Sequence, residues 1–252
     1  MKRKILVRGP ALSQTGYGEQ TRFALRALRT KESIFDIYVI NTDWGKSNWI
    51  WSDTDERRWI DSLISKATTL PKDNPGLDMS LQVTIPNEWE RLSPYDVGYT
   101  AGVETTKVSE NWIKKANEMQ KIVFVSSFSE EVFNKTVYYQ EKSKQYIKNN
   151  TPTQHVGYGV RDIEPEEVEV DFAYDFNFLS VCQWGPRKNF DNLVKWFVEE
   201  FKDKEVGLVV KTNLVKNCII DRRVTERRLK AMLANYPDRK CKVHLIHGYL
   251  TD

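Results

Sequence analysis

The chain predicts an α/β fold built from two Rossmann-like parallel-sheet domains, the second of them incomplete. Three observations predict it. Short apolar, β-rich runs alternate with amphipathic stretches from end to end, the pattern of parallel sheets covered by helices. A polar and acidic interruption between Lys142 and Glu167 divides the series. Beyond it the sequence holds three strand patterns and two helix patterns, half of a doubly wound nucleotide-binding domain.

The first strand is expected over Lys4–Arg8, where Ile5-Leu6-Val7 is bounded by charge and then by Gly9-Pro10. Ser13-Gln14-Thr15-Gly16-Tyr17-Gly18-Glu19 leads into a helix over Glu19–Arg29, with Phe23, Ala24, Ala27 and Leu28 as its expected inner face. Further strands are expected at Phe35–Asn41, Ser80–Ile85, Val97–Ala101, Ile122–Ser126 and Thr153–Tyr158, and helices at Asp55–Ser65, Glu110–Met119 and Ser129–Asn134. Lys142 to Thr153 is polar and lysine-rich, and Asp162 to Glu167 is acidic and interrupted by Pro165. Neither can supply a core, which places the domains at 1–168 and 169–252. The second domain is expected to run as a buried strand Phe178–Cys182, a helix Phe190–Phe201, a strand Val206–Lys211, a helix Thr225–Leu233 and a strand Lys242–Ile246. Phe190, Leu193, Val194, Phe197 and Phe201 give its first helix a single apolar face.

Composition narrows the class. The 252 residues suffice for one large or two ordinary domains, and 38 basic against 35 acidic side chains leave only +3, too little to indicate nucleic acid as a partner. Met1-Lys2-Arg3-Lys4 is followed by three apolar residues and then Arg8, so no leader or membrane span is expected and the chain reads as cytoplasmic. Cys182, Cys218 and Cys241 are odd in number and widely spaced, which suits reduced thiols. His244 and His247 would face opposite sides of a strand, so no metal site is expected.

Two turns carry the candidate chemistry. In the second domain, Gln183-Trp184-Gly185-Pro186-Arg187-Lys188-Asn189 joins a strand to a helix. Arg187 and Lys188 beside a helix N-terminus, with its unpaired amides and partial positive charge, suit a phosphate; solvated surface is the plainer alternative. Near the start of the chain, Gly16 and Gly18 suit backbone angles closed to other residues and leave amides open to an anion. Gly9, Gly16 and Gly18 fit the dinucleotide fingerprint in no register, which sets aside a dehydrogenase reading of Asp43.

These segments resemble the retaining, nucleotide-sugar-dependent glycosyltransferases of the GT-B fold, family 4 or group 1 type. Gly9-Pro10 through Gly18 is similar to that family's first glycine loop, Gly98 to Thr105 and Ile122 to Ser129 are similar to strand ends of one subgroup, and Val156-Gly157-Tyr158-Gly159-Val160 sits where the family has its crossover. Gln183 stands where the family has a diphosphate-binding Arg, Asn189 where it has Gly, and Lys188 keeps its position. His244 to Asp252 is similar to the strand and loop that receive the nucleobase, and the Glu-x7-Glu segment that would follow is absent.

The resemblance implies sugar transfer from a nucleoside diphosphate to a hydroxyl, with retention and without a cofactor or metal. Lys188 and Glu104 would be the catalytic residues. Gly16, Tyr17, Gly18, Arg187, Lys211, Gly248 and Tyr249 would contact the donor. A nucleotide sugar and a glycan, lipid or other hydroxyl acceptor are the implied partners; peripheral membrane contact and a homodimer stay open. A non-catalytic binding or assembly module, pairing through an unfinished sheet, is the rival reading.

Two further motifs are ambiguous. Trp44, Trp49 and Trp51 lie among short polar groups in one loop, where they are expected as core anchors, with sugar recognition as the alternative. The run Arg222 to Lys230 is expected to be a solvated face, ahead of a membrane or polyanion contact.

Overall fold

The computed structural model describes residues 2–71, 73, 75–142, 144–162, 164–165 and 170–248. The chain divides into two compact units, one of Met1–Gly45 with Trp49–Asp162 and one of Lys46–Asn48 with Ile163–Asp252. The boundary expected at residues 168 and 169 lies outside the described residues.

The first unit follows the order β1 (Arg3–Gly9), α1 (Gly16–Arg29), β2 (Phe35–Asn41), α2 (Asp55–Ala67), β3 (Met79–Val83), β4 (Asp96–Thr100), α3 (Glu110–Ala116), β5 (Lys121–Phe124), α4 (Ser127–Lys135), β6 (Tyr138–Gln140), β7 (Gln145–Ile147) and β8 (Thr153–His155). Six strands form one sheet in the order β2-β1-β3-β4-β5-β8, and each neighbouring pair is parallel. Strand order reverses direction at β1 and β3. In an open α/β sheet, the crevice outside the carboxyl ends at that point is where ligands bind.

Four serine and threonine hydroxyls start the helices of this unit. Thr15, Thr54, Ser109 and Ser126 accept from the amides of Gly18, Arg57, Trp112 and Ser129, each satisfying a donor that the helix itself leaves unpaired. One cluster joins Ile5, Val7 and Val39 of the sheet to Leu25 of α1 and Ile60 of α2. Another gathers Ile122, Phe124, Phe133 and Ile113 around the fully buried Trp89. The inner face of α1 is Thr21, Arg22 and Leu25, with Leu28 packed on the same cluster as expected, whereas Ala27 is exposed and Phe23 and Ala24 are half-buried. The expected apolar face was rotated because Arg22 turns inward to serve a loop.

The polar stretch from Lys142 to Thr153 is also more structured than expected. It contains β7, which pairs antiparallel with β6, and Tyr138 and Ile147 pack on the Trp89 cluster. The buried Thr151 hydroxyl donates to the Ala116 carbonyl at 2.8 Å. Two anchors and one hydroxyl suffice where the rest of the hairpin is solvated.

The second unit comprises β9 (Asn177–Val181), α5 (Phe190–Phe201), β10 (Gly207–Thr212), α6 (Ile219–Leu233) and β11 (Lys242–His247), with a parallel sheet β11-β10-β9. Phe190, Val194, Phe197 and Val198 of α5 join Leu208 and Val210 of β10 and Leu229 and Leu233 of α6 in its core. The buried strand expected at Phe178–Cys182 is instead an edge. Phe178 turns toward Phe197 and Phe201, with ring centroids 5.9 and 5.3 Å away, while Leu179 and Val181 on the other face are 70% and 62% exposed. α6 begins six residues earlier than expected, and its buried positions are Asp221, Thr225, Leu229 and Leu233. Its Arg222, Arg223, Arg227, Arg228 and Lys230 are exposed.

Gly98 shows how closely the first unit is packed. A Cβ there would lie 2.5 to 2.6 Å from three ring atoms of Trp89, and that ring is fully buried. Gly98→Ala should therefore destabilise the unit by about 1–3 kcal/mol, since neither the strand nor the indole has room to yield. Urea unfolding followed by circular dichroism checks this; an unchanged midpoint would contradict it.

Candidate functional site

In the first unit, the loop between β1 and α1 is held from within. The buried Arg22 guanidinium donates to the carbonyls of Ala11 and Ser13 at 2.9 and 2.8 Å, and to Glu19 Oε2 at 2.6 Å. Arg26 reaches Glu19 at 3.0 Å and pairs with Glu56. Burial opposes the ionisation of Glu19, but the bonds from Arg22 and Arg26 outweigh it and hold its carboxyl below the usual range.

Gly18 is required here by contact, not by backbone angle. A Cβ on it would overlap the Ser13 carbonyl, and neither Gly16 nor Gly18 has a positive φ. Gly16 faces open space, so the two glycines expected to free the backbone have different roles.

Tyr17 ties three loops together. Its hydroxyl lies 2.9 Å from Thr100 Oγ1 and accepts from the Ala101 amide at 3.1 Å, while its ring packs against Trp44 at 4.3 Å. Burial pushes its pKa up. Tyr99 is raised by burial as well, and Tyr158 by burial and by the two neighbouring tyrosines. The three tyrosines, from the start of α1, from β4 and from the segment after β8, thus neighbour one another at one edge of the first unit. Nearby, the fully buried Thr84 hydroxyl just past β3 has no partner among the described residues.

Glu104 is not at a strand end as expected. β4 stops at Thr100, and Glu104 lies four residues on, exposed in the loop toward α3. Trp49 and Trp51 are not core anchors either, being 49% and 73% exposed. Only Trp44 of the three is packed on another ring.

In the second unit, Pro186–Lys188 form a single 3-10 turn, and Asn189 follows in the left-handed region at φ 52° before α5 starts. No side chain caps α5, and Arg187 and Lys188 are exposed beside its first turn. The first-turn carboxylate of Asp191 is taken up by Arg228 at 2.9 Å and Trp184 Nε1 at 3.3 Å. Gln183 donates to the Leu214 carbonyl at 2.7 Å, so it joins two loops instead of reaching outward.

Asp221, which the sequence did not single out, organises this edge. Its carboxylate accepts from the amides of Leu214, Val215 and Lys216 at 3.0, 2.7 and 2.8 Å, from Thr225 Oγ1 at 3.2 Å and from His247 Nε2 at 2.8 Å. An ionised carboxylate only accepts, so the proton of that last bond is on Nε2. Burial alone would raise the Asp221 pKa; His247 and the three amides overcome it and hold the value at about 2. Lys211 is on β10, one residue before its end, and is half-buried. Gly248, at φ 84°, follows β11 and packs on Asn217 where a Cβ would overlap the carboxamide. Tyr249 lies outside the described residues. Among the described residues no cluster of His, Cys, Asp and Glu has the form of a metal site, the cysteines are unpaired, and no helix is long and apolar enough to cross a membrane.

Comparison with known proteins gives likeness at the level of chain path. No family model and no curated protein sequence matches. Among solved structures, the Thermobaculum terrenum O-GlcNAc transferase aligns over 99% of this chain at 11% identity, with a TM-score of 0.46. Acinetobacter baumannii MurG aligns over 100% of this chain and 68% of its own at 9% identity and TM-score 0.45. A glycosyltransferase from Rickettsia africae aligns over 98% of this chain and 69% of its own at 15% identity and TM-score 0.45. The chain spans 45% of the length of the Thermobaculum protein.

The Asp221 cluster generates a pH prediction. Because the folded carboxyl titrates near 2 instead of its ordinary 3.8, its stabilisation is complete above about pH 4 and is lost as pH falls toward 2. Asp221→Asn, which cannot accept all five bonds, should destabilise the second unit by about 2–4 kcal/mol and flatten stability across that window. Hydrogen exchange at the Leu214 to Lys216 amides between pH 2 and 5 measures it, and equal protection in both proteins would contradict it.

Proposed function

We propose that this chain is a GT-B-type retaining glycosyltransferase, with the donor diphosphate bound at the turn before α5. The observation that carries the reading is the pair Arg187 and Lys188 at the uncapped start of a helix that follows a parallel strand. Breaking the anomeric bond puts negative charge on the departing diphosphate. Fixed cations and helix amides aimed at that charge lower the barrier, each such donor contributing about 3 kcal/mol where it has been removed from other enzymes.

Lys188 takes the principal role in this reading and Arg187 supplies the charge that Gln183, tied to Leu214, does not. Gly16, Tyr17, Gly18, Lys211, Gly248 and Tyr249 keep the donor contacts that the resemblance implies, and Glu104 a role toward the sugar or acceptor. Retention and independence of metal are part of the proposal. So are the acceptor, a glycan, lipid or other hydroxyl compound, and a cytoplasmic location.

Calorimetric titration with UDP, GDP and ADP tests it. One of them should bind, and Lys188→Ala should weaken that binding by about tenfold or more, as expected for loss of a charge-assisted phosphate contact. Turnover should survive EDTA and give product of unchanged anomeric configuration by NMR. Absence of binding for every nucleoside diphosphate would overturn the reading.

The exposed Leu179 and Val181 on the edge strand β9 favour a second reading, a binding or assembly module that pairs through its sheet. It predicts a concentration-dependent dimer in sedimentation that Leu179→Lys abolishes; a monomer at every concentration would exclude self-pairing.

A further inference from the structure

A cavity in the first unit has no part in the chemistry above. It has a volume of about 570 Å³ beside β2, lined by the buried Leu12 and Val39, by the half-exposed Trp49 and by the polar Asn41, Arg57 and Asp61. That volume is within the range of small-ligand sites.

The backbone that carries Trp49 is fixed, and half of the residue is exposed. Its backbone bridges to Ser13, the next amide, of Ile50, donates to the Leu12 carbonyl at 2.8 Å, and Arg57 holds the Ile50 carbonyl from the other side. A half-exposed indole on a fixed backbone keeps a large apolar area in contact with water that a ligand face would cover. Beside it, Arg57 Nε donates to both Asp61 oxygens at 3.0 and 2.9 Å, while the Asp61 side chain stays 47% exposed. The carboxylate is therefore oriented and still reachable. Asn41 is set as well, its Oδ1 accepting from the Leu12 amide at 2.9 Å.

We infer that this cavity binds a neutral hexopyranose residue, its C–H face on the Trp49 indole and its hydroxyls on Asp61 and the neighbouring polar groups. An aliphatic chain would be served by the apolar lining, but it would strip water from the half-exposed Asp61 carboxylate and leave the acceptor capacity beyond its Arg57 contacts unmet, which is unfavourable. A pyranose satisfies both the exposed indole and the carboxylate, because one of its faces is C–H and its rim is hydroxyl. The inference does not depend on the transferase reading, since it uses none of the residues assigned to the nucleotide.

The test follows the indole N–H signals of the protein in ¹⁵N-correlated NMR spectra, with the Trp49 signal assigned by its loss in Trp49→Phe. The probes are the methyl glycosides of glucose, mannose, galactose and N-acetylglucosamine, with 1-hexanol as the aliphatic probe. At least one glycoside should shift the Trp49 signal saturably with a Kd on the order of millimolar, as suits a ligand of that size. Asp61→Asn should weaken that binding about threefold at the Trp49 signal, and Trp49→Ala, followed by the backbone amide signals of Asn41 and Asp61, at least about fivefold, with the other indole signals in place to show that the fold is kept. UDP titration of Trp49→Ala should match the unsubstituted protein, separating this site from the nucleotide reading. No shift with any of the glycosides, a shift with 1-hexanol alone, or glycoside binding undiminished in both variants would overturn the inference.

Discussion

Both units depend on one constraint, that backbone polar groups in the loops past parallel strands must be paired although those loops fold back over the sheet. Among the described residues each unit uses a buried charge at such a loop, and the two have opposite signs. Arg22 collects the carbonyls of Ala11 and Ser13 in the first unit. Asp221 collects the amides of Leu214, Val215 and Lys216 in the second. A buried charge is tolerable only when its own bonds are complete, and both are completed by a counter-group, Glu19 in one case and His247 in the other.

The placement of candidate binding groups follows from that bracing. With the β1–α1 loop fixed by Arg22 and by the contact of Gly18 with Ser13, Tyr17 leaves the first turn of α1 directed at Thr100. With the β10–α6 loop fixed by Asp221, the Leu214 carbonyl is in position to engage Gln183. Arg187 and Lys188 project from a turn that neither brace engages. The braced parts of each edge are thus structural, and the candidate binding groups Arg187 and Lys188 are among the exposed ones.

Much of the fold was legible because its signals are local. The strand Phe35–Asn41 and the helix Phe190–Phe201 were readable to the residue from apolar periodicity. The start of α6 was not, because exposed Ile219, Ile220 and Val224 and buried Asp221 and Thr225 invert the usual pattern. The site was less legible. Arg187 and Lys188 stand out in the sequence through a strand-turn-helix signature, yet Asp221 looks like any acid in a helix first turn, and its partners come from a loop and from a strand 26 residues on. Gly18 was noticed for conformational freedom when its reason is a neighbour's carbonyl. Trp49 and Trp51 were taken for core because large aromatics usually are, and nothing local announces that a loop will hold an indole half in water.

The Tyr17 ring and hydroxyl also bear on motion. One side chain on α1 touches Trp44 in the segment after β2 and Thr100 and Ala101 at the end of β4. Segments that usually fluctuate one by one are here fastened to a common pin, so thermal displacement of any of them drags the others or breaks the pin. The mobility of that rim is collective, and a molecule that loosened Tyr17 would release all three segments at once.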